Sequence, residues 1–407
     1  MIVEGKKKSY SRSLKWFLAI VFMALLLASL VPMASAGNWQ YRKEITISGG
    51  GVTGSLNNFP VLISITDADL SDNARSDGGD IVFTDLNNVK YNHEIEKFVK
   101  STGELVAWVK IDSLPSTDTT IWMWYCNPYC ADQWNVEGTW DPNYKMVQHL
   151  EETSGIHYDS TANGNDGTPK GGLTQDTTGK IDGANDFGGL GTGEVVNCGN
   201  APSLDITGDI TIEAWAKPDS FSNWGEILSK RVDTTTNYNL RFGRTSGTGL
   251  FNYVQFYWKR NKDWSVYTTG AYSAGAWYHI VATRAGTNQP KIYVNGVKVG
   301  SCTHGTCSNA LSTNDNDLCI GGGIDSEGYV WIFNGKIDEV RLSNTVRSAD
   351  WIKKSYNNQN DPGSFLSVGD QENCNGEDPV PELPTIILFS LGLLMLAGYI
   401  MLRRRKG

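Results

Sequence analysis

Short runs of residues with β-type patterning recur along most of the chain. Residues 42–48 alternate polar with apolar side chains, residues 59–65 form a continuous apolar run, and an Asn-Gly pair at 295–296 lies between β-forming residues. Clusters of Gly, Asn, Asp and Pro separate these runs, and only residues 348–356 have the spacing of a helix. The pattern predicts an all-β protein with two antiparallel β-sandwich domains in tandem.

Both ends of the chain carry segments typical of export and membrane anchoring. A lysine-rich head, an uncharged apolar run over residues 16–31 and an Ala-Ser-Ala sequence ending at Ala36 predict a secretory signal peptide over residues 1–36. An uncleaved membrane anchor is the alternative. Residues 385–402 are uncharged and long enough for a transmembrane helix, and the basic tail 403–407 should stay in the cytoplasm. We therefore expect a single-pass protein of the cell membrane whose body faces the outside.

Charge and motif content narrow the possible partners and reactions. The formal net charge is −9 although both basic ends are counted, so the body between them is more acidic still, which argues against a nucleic-acid partner. No Ser-His-Asp order, phosphate loop or metal-hydrolase motif occurs in the sequence. His93 and Glu94 are neighbours in an alternating strand and should point to opposite faces of a sheet. We expect no enzyme activity.

Seven cysteines lie in a body that we expect outside the cell, where disulfides are permitted. The candidate pairs are Cys302 with Cys307, Cys126 with Cys130, and Cys198 with Cys319. Cys374 would remain unpaired, and the sequence alone does not fix the connectivity. A zinc site that includes His304 is the alternative, although its spacing matches no standard zinc pattern.

Motifs in the first half of the body carry a family resemblance. They lie at residues 39–42 (WQYR), 58–63 (NFPVLI), 79–85 (GDIVFTD), 107–110 (AWVK) and 120–125 (TIWMWY). Together they resemble the domain-of-unknown-function family 2341, which occurs in surface proteins of archaea and bacteria. The resemblance implies a jelly-roll-like sandwich over residues 37–135 and no activity.

A second and longer set of motifs follows. It occupies residues 149–155 (HLEETSG), 158–167, 201–215, 276–279 (AWYH), 292–296 (IYVNG) and 333–341 (FNGKIDEVR). These motifs resemble the LamG-like jelly-roll domain of the concanavalin A-like lectin/glucanase superfamily. The resemblance implies two stacked antiparallel sheets over residues 140–370, often with one bound Ca²⁺. Glucanases use paired carboxylates on a Glu-x-Asp-x-x-Glu strand, and residues 336–339 lack both flanking glutamates.

The segment from Asp159 to Gly167 is rich in oxygen-bearing side chains. Ca²⁺ binds several hard oxygen ligands, and a tight turn supplies carboxylates and carbonyls together. We predict a structural calcium site with Asp159 and Asn163, and by the family resemblance Asp338 would complete it from another strand. An ordinary turn stabilised by Asp and Asn is the alternative.

Aromatic side chains are the candidate ligand contacts. Sugar rings stack on exposed aromatic faces, and several aromatic residues lie near turns or strand ends of the second domain. We select Trp264 and Trp331, whereas Trp215 and Trp277 match core positions of the family. Core or edge packing is the alternative for both selected residues.

The segment between the second domain and the predicted membrane helix, residues 371–384, carries a third resemblance. Residues 381–385 (PELPT), with the apolar run and arginines that follow, resemble the PEF-CTERM sorting tail of archaeal surface proteins. The resemblance implies processing by an archaeosortase; a plain transmembrane stalk is the alternative.

These patterns predict a cell-surface binding or adhesion protein that recognises carbohydrate through its LamG-like domain. Its partner would be an extracellular glycan or a surface protein. One alternative is a structural envelope protein that binds other proteins. The other is a polysaccharide hydrolase whose site the motifs do not reveal.

Overall fold

The computed structural model describes residues 39–221, 224–232, 235–243, 251–259, 263–287, 290–301 and 310–374. The predicted signal peptide, transmembrane helix 385–402, tail 403–407 and most of the segment 371–384 lie outside the described residues, as do Cys302, His304 and Cys307. Within the described ranges, no helix is long and apolar enough to cross a membrane. The predictions about both ends therefore stay predictions.

The first part of the described chain folds as short strands with two short helices. In chain order these are β1 (Tyr41–Ile47), β2 (Leu56–Thr66), α1 (Ala68–Asn73), β3 (Val82–Thr84), β4 (His93–Val99), β5 (Glu104–Leu114), β6 (Thr119–Tyr125) and α2 (Val136–Thr139). One sheet has the order β1-β6-β3 and the other β2-β5-β4, and both are antiparallel. Their apolar faces pack together as a sandwich.

The second part continues as strands and ends with two helices. Its first strands are β7 (Tyr144–Gln148), β8 (Thr168–Lys170), β9 (Thr174–Thr178), β10 (Gly183–Gly188), β11 (Val195–Asn197), β12 (Ile210–Pro218), β13 (Gly225–Val232), β14 (Thr235–Gly243), β15 (Tyr253–Lys259) and β16 (Asp263–Thr268). The remaining elements are β17 (Tyr278–Arg284), β18 (Lys291–Val294), β19 (Val297–Ser301), β20 (Leu318–Ile320), β21 (Gly323–Asp325), β22 (Gly328–Val330), β23 (Asn334–Ser343), α3 (Ala349–Asn360), α4 (Pro362–Phe365), β24 (Leu366–Val368) and β25 (Glu372–Asn373).

A continuous antiparallel ladder forms the second sandwich. It runs β8-β11-β20-β13-β14-β15-β16-β19-β18-β17-β12-β23-β10-β9, with β7 also paired to β23. Leu240 and Phe256, from one half of the ladder, share a buried cluster with Ile212 and Leu342 from the other half. The ladder thus curls over one core, and the all-β prediction with antiparallel sheets is confirmed.

The two sandwiches share packing and strands. β24 and β25 pair with β1 in the first sheet, so the end of the predicted second domain and the start of the predicted linker complete the first sandwich. In α3, the Asn358 amide donates to the Leu62 carbonyl oxygen at 2.9 Å and accepts from the Leu62 N–H at 2.7 Å. Ser348 caps α3 by accepting from the Trp351 N–H, which confirms the predicted helix start.

Candidate functional site

A row of polar side chains crosses the outward face of β13, β14 and β15. The strand register sets Glu226 opposite Arg241 and Arg241 opposite Gln255. Because side chains alternate along a strand, the intervening Leu240 and Phe256 enter the core while the polar row points away from it. Even so, Glu226 is fully buried and Gln255 is only 2% exposed. Other parts of the chain therefore cover this face of the sheet.

Glycine, tryptophan and arginine residues provide the cover. A Cβ atom at Gly323 of β21 would lie 2.2 Å from Glu226 Oε2, so a larger residue here would displace the carboxylate from its present position. Trp331, directly after β22, lies under the guanidinium of Arg231 with 3.4 Å between the Arg231 Cζ atom and the ring centroid. Trp224 is half-buried and stacks in the same way with Arg241 at 4.0 Å.

Several polar atoms in this cluster lack hydrogen-bond partners. Glu226 Oε1 accepts from the Asn239 side-chain amide at 2.7 Å, and Arg241 Nε donates to Gln255 Oε1 at 2.8 Å. Among the described residues, Glu226 Oε2, Asn239 Oδ1 and the Nε and Nη1 atoms of Arg231 are buried without a partner. Unsatisfied buried polar groups cost about 1–3 kcal/mol each, so a hydroxyl-rich ligand that bonded to them would gain binding energy.

A small surface depression with aromatic side chains in its lining adjoins the polar cluster. Its lining includes Leu190, Phe221, Trp224 and Phe333, and Leu190 at its edge is 67% exposed. We name the whole arrangement the Trp–Arg cluster: Glu226, Arg231, Asn239, Arg241, Gln255 and Tyr257 with Trp224 and Trp331. It combines aromatic faces with hydrogen-bonding groups, which is the chemistry that binds sugar rings and their hydroxyls.

The two predicted ligand residues have different outcomes. The structure places the predicted Trp331 in the Trp–Arg cluster. The Trp264 backbone pairs with Trp258 in the β15–β16 ladder, and the Trp264 side chain lies outside the described structure. Sequence reasoning missed Glu226, Arg231 and Arg241. The alternation at residues 239–242 (NLRF) marks β14 as having one polar face, but it does not reveal what covers that face.

The predicted calcium ligands are used for other bonds. Asp159 Oδ1 accepts from the backbone N–H groups of Val147 and Thr161, at 2.9 and 3.0 Å. Its Oδ2 accepts from the Asn165 N–H at 2.8 Å and from the Thr161 hydroxyl at 2.9 Å. The Asn163 amide donates to the Thr161 hydroxyl at 2.9 Å. Protein donors therefore satisfy both oxygens of Asp159, which fits the alternative reading of an ordinary turn.

Asp338 lies in a separate environment. Its Oδ2 accepts from the Lys180 and Ile181 N–H groups at 2.7 and 3.0 Å, whereas its Oδ1 is buried without a partner among the described residues. Burial raises the pKa of the Asp338 carboxyl well above its ordinary value, which favours the neutral acid. Asp338 thus shares no hydrogen-bond donor with Asp159, and the calcium site with its three ligands stays a prediction.

Replacing Asp159 with alanine should lower the free energy of unfolding by about 1–3 kcal/mol, because four donors lose their acceptor. Urea unfolding with EGTA and again with added Ca²⁺ measures this loss. Asp166→Ala is the control, since Asp166 accepts the Asp159 N–H and should have the smaller effect. A loss that appeared only with Ca²⁺ present would instead make Asp159 a calcium ligand.

A second buried polar cluster lies between the two sandwiches. His149 Nδ1 lies 2.6 Å from Glu339 Oε1 and 3.4 Å from Glu96 Oε2, and its Nε2 lies 3.4 Å from Glu94 Oε2. Glu94 and Glu96 belong to β4, whereas His149 and Glu339 belong to the second sandwich. Arg341 pairs with the other oxygen of Glu339. These residues form an ion-pair network across the interface.

This network also has the ligand types of a metal site. Donor atoms of Glu96, His149 and Glu339 all lie within 4.8 Å of one another. However, the same Glu96 oxygen accepts from the Trp108 indole N–H at 2.7 Å, and Arg341 already neutralises Glu339. Protein donors therefore occupy the positions that a cation would need, and the geometry favours the ion-pair network.

Neither of the remaining predicted disulfides is formed in the structure. The free thiols are those of Cys126, Cys130, Cys198 and Cys319. The strand register sets Asn197 opposite Cys319, and the Cys198 N–H bonds to the Leu318 carbonyl, so Cys198 is one residue out of register with its predicted partner. The loop that begins at Cys126 is held instead by Asp80, which accepts the N–H groups of Cys126 and Asn127 at 2.9 and 3.0 Å. Both pairs stay predictions.

Two family models match parts of the described chain. Residues 190–353 match the family model described as the concanavalin A-like lectin/glucanases superfamily. The matched residues run from the turn before β11 into α3. Residues 77–166 match the domain of unknown function 2341. This match includes β7, which pairs with β23 of the second sandwich. Both predicted family resemblances are confirmed.

Matches among solved structures include binding domains of toxins and one domain of an arabinanase. The binding domain of Paraclostridial mosquitocidal protein 1 matches with TM-score 0.42 and 13% identity, over 53% of this chain and 52% of that chain. Domain 4 of AbnA, a GH43 extracellular arabinanase from Geobacillus stearothermophilus in complex with arabinotriose, matches with TM-score 0.40 and 16% identity, over 52% of this chain and 97% of that chain. The botulinum neurotoxin serotype D binding domain matches with TM-score 0.40 and 13% identity, over 55% of this chain and 53% of that chain.

The match spans about half the length of the toxin domains. TM-scores this low assign neither a ligand nor an activity to the second sandwich. No curated protein matches the chain.

Proposed function

We propose that this chain is a carbohydrate-binding protein of the cell surface, and that the Trp–Arg cluster is its glycan site. One observation carries the proposal: Glu226, Asn239 and Arg231 have buried hydrogen-bonding atoms with no partner among the described residues, and they lie beside half-buried tryptophans. Sugar hydroxyls donate and accept hydrogen bonds, and the apolar faces of sugar rings stack on indoles. The family of the surrounding domain supports this choice of ligand.

Binding without hydrolysis is the proposed mode. Glycoside hydrolysis requires two carboxyl groups on either side of the scissile bond. The described side chains that face the Glu226 carboxylate are one amide and two guanidinium groups. The aromatic and polar groups would therefore hold and orient a saccharide. The predicted signal peptide and membrane helix would present this site outside the cell, with archaeosortase processing as the proposed fate of the tail.

Replacing Trp331 with alanine should weaken saccharide binding about 30-fold, because a buried tryptophan at the centre of an interface contributes about 2 kcal/mol or more. The test is affinity electrophoresis of the full-length chain in detergent through gels that contain a panel of polysaccharides. Trp122→Ala is the matched control, since Trp122 also stacks with an arginine, Arg42, at 4.1 Å, but in the first sandwich.

Each outcome of this experiment has a clear meaning. Retarded migration of the wild type and of Trp122→Ala, but not of Trp331→Ala, supports the proposed site. If all three proteins migrate unretarded on every polysaccharide, the proposed function is wrong. Thermal melting of each variant establishes that it is folded. Capture of a surface protein without any saccharide binding would favour an envelope protein that binds other proteins.

A further inference from the structure

The Trp–Arg cluster contains two arginine side chains that share one carboxylate. Arg231 Nη1 lies 3.8 Å and Arg241 Nη1 lies 3.6 Å from Glu226 Oε1, both beyond normal hydrogen-bond distance. The Asn239 amide, at 2.7 Å, is the group that bonds to this oxygen. Two guanidinium charges and one carboxylate leave these three residues with a net charge of about +1.

Aromatic rings hold the arginines in addition to these two long ion pairs with Glu226. Arg231 stacks on Trp331, and Arg241 lies 4.0 Å from the Trp224 centroid and 4.6 Å from the Tyr257 centroid. A stacked guanidinium keeps its N–H groups in the plane of the fork, where they can donate to a planar anion. Arg241 already gives its Nε hydrogen to Gln255, whereas Nε and Nη1 of Arg231 have no partner among the described residues.

An anionic group satisfies these conditions better than a neutral hydroxyl. A carboxylate or sulfate accepts two parallel N–H bonds from a guanidinium, and such charge-assisted bonds are about twice as strong as neutral ones. The anion would also balance the excess positive charge of the cluster. Since the chain as a whole has a net charge of −9, attraction for an anionic polymer would come from this local cluster and not from the overall charge.

We propose that the saccharide bound at this site is an anionic glycan, whose carboxylate or sulfate groups pair with Arg231 while Arg241 adds charge beside it. This inference rests on the proposed function and names the class of its ligand. Arg231 is the principal specificity residue, because its Nε and Nη1 have no hydrogen-bond partner among the described residues and Nη2 forms a two-donor fork with either of them. The stacked tryptophans fix the guanidinium position and contact the sugar rings.

The test compares polymers that differ in charge but not in backbone. Binding of the full-length chain in detergent is measured on polygalacturonate, on its fully methyl-esterified form, on dextran sulfate and on unmodified dextran. We expect at least one acidic polymer to bind 10-fold or more tightly than its neutral counterpart, and this preference to shrink as salt is raised. Preference for polygalacturonate assigns a carboxylate, and preference for dextran sulfate assigns a sulfate.

Substitutions at Arg231 test whether this residue causes the preference for acidic polymers. Arg231→Gln should reduce the acidic-over-neutral preference to about 2-fold or less, whereas Arg231→Lys, which retains the charge without the fork, should keep an intermediate preference. Arg42→Gln is the matched control on the first sandwich, because Arg42 also stacks on a tryptophan. Melting curves verify that each variant is folded.

Failure of this inference is distinguishable from failure of the proposed function. Equal binding of acidic and neutral polymers, lost in Trp331→Ala, would overturn the anionic ligand and leave the glycan site intact. An acidic preference that persists in Arg231→Gln would also overturn it. If no polysaccharide of any charge is bound, both proposals are wrong.

Discussion

Replacing Arg341 with methionine should lower the free energy of unfolding by about 3–5 kcal/mol, the usual cost of removing one partner from a buried ion pair. Arg341 is fully buried, pairs with Glu339 and stacks 4.1 Å from Trp108 of the first sandwich. Methionine fills similar volume but leaves the Glu339 carboxylate facing the other glutamates of the interface with His149 as its remaining partner. The destabilisation should therefore be electrostatic and should affect both sandwiches together.

Urea unfolding of the full-length chain measures this change. Arg42→Met is the control, because its partner Glu372 has a side chain that is 50% exposed and exposed pairs contribute about 1 kcal/mol or less. The double variant Arg341→Met with Glu339→Gln removes both charges and should regain part of the loss. Equal losses in Arg341→Met and Arg42→Met, or a double variant less stable than the single one, would contradict the electrostatic explanation.

The free energy of unfolding should fall as the pH rises above about 6.5, because His149 is then protonated in the folded protein and neutral in the unfolded chain. The fall should be about 1.4 kcal/mol for each pH unit between the two pKa values of His149. Burial opposes the imidazolium, but the neighbouring Glu339, Glu96 and Glu94 outweigh it and raise the His149 pKa well above 6.5. The stabilisation by protonated His149 is thus fully present below its unfolded-state pKa and is lost as the pH rises through its folded-state pKa.

Unfolding free energies between pH 5.5 and 9 test this prediction. In His149→Gln the decline with pH should be shallower than in the wild type, because that residue no longer binds a proton. The difference between the two curves isolates His149 from other groups that titrate in the same range. Parallel curves for the two proteins would contradict a protonated His149 in the folded state.

Local sequence signals predicted the elements that depend on local chemistry. The Asn295-Gly296 pair forms the hairpin between β18 and β19, with φ angles of 51° and 74° that favour these two residue types. Ser348 caps α3, the helix that the spacing of residues 348–356 predicted. The alternation of residues 42–48 became β1 with its apolar positions in the core. Each of these features needs only neighbouring residues, so the sequence specifies it directly.

Long-range arrangements were not predictable in the same way. β24 pairs with β1 through partners such as Ile45 and Val368, and no local pattern in a three-residue strand indicates a partner so far along the chain. The predicted domain boundary at residue 370 therefore separates β24 from β25, although both strands pair with β1 in the first sheet. His149 and Glu339 likewise meet Glu96 only because the two sandwiches pack together.

The candidate sites show the limits of reading residue types. Asp159 has the composition of a calcium ligand, but its four hydrogen-bond donors include the N–H of Val147, which lies on β7 and not in the turn. An aspartate in such a segment is compatible with both a turn and a calcium site, and only its hydrogen-bond donors distinguish the two. Trp331 was predicted from its place near a strand end, whereas Arg231 became a candidate only through its contact with that ring.

Hydrogen–deuterium exchange of the full-length chain, with and without an oligosaccharide that it binds, tests most directly whether the covered face of β13–β15 is the glycan site. We expect added protection of backbone amides in residues 225–231, 238–242 and 323–333, and none of this protection in Trp331→Ala. Protection confined to the first sandwich, or protection of the same segments in both proteins, would place the saccharide elsewhere and contradict the proposed site.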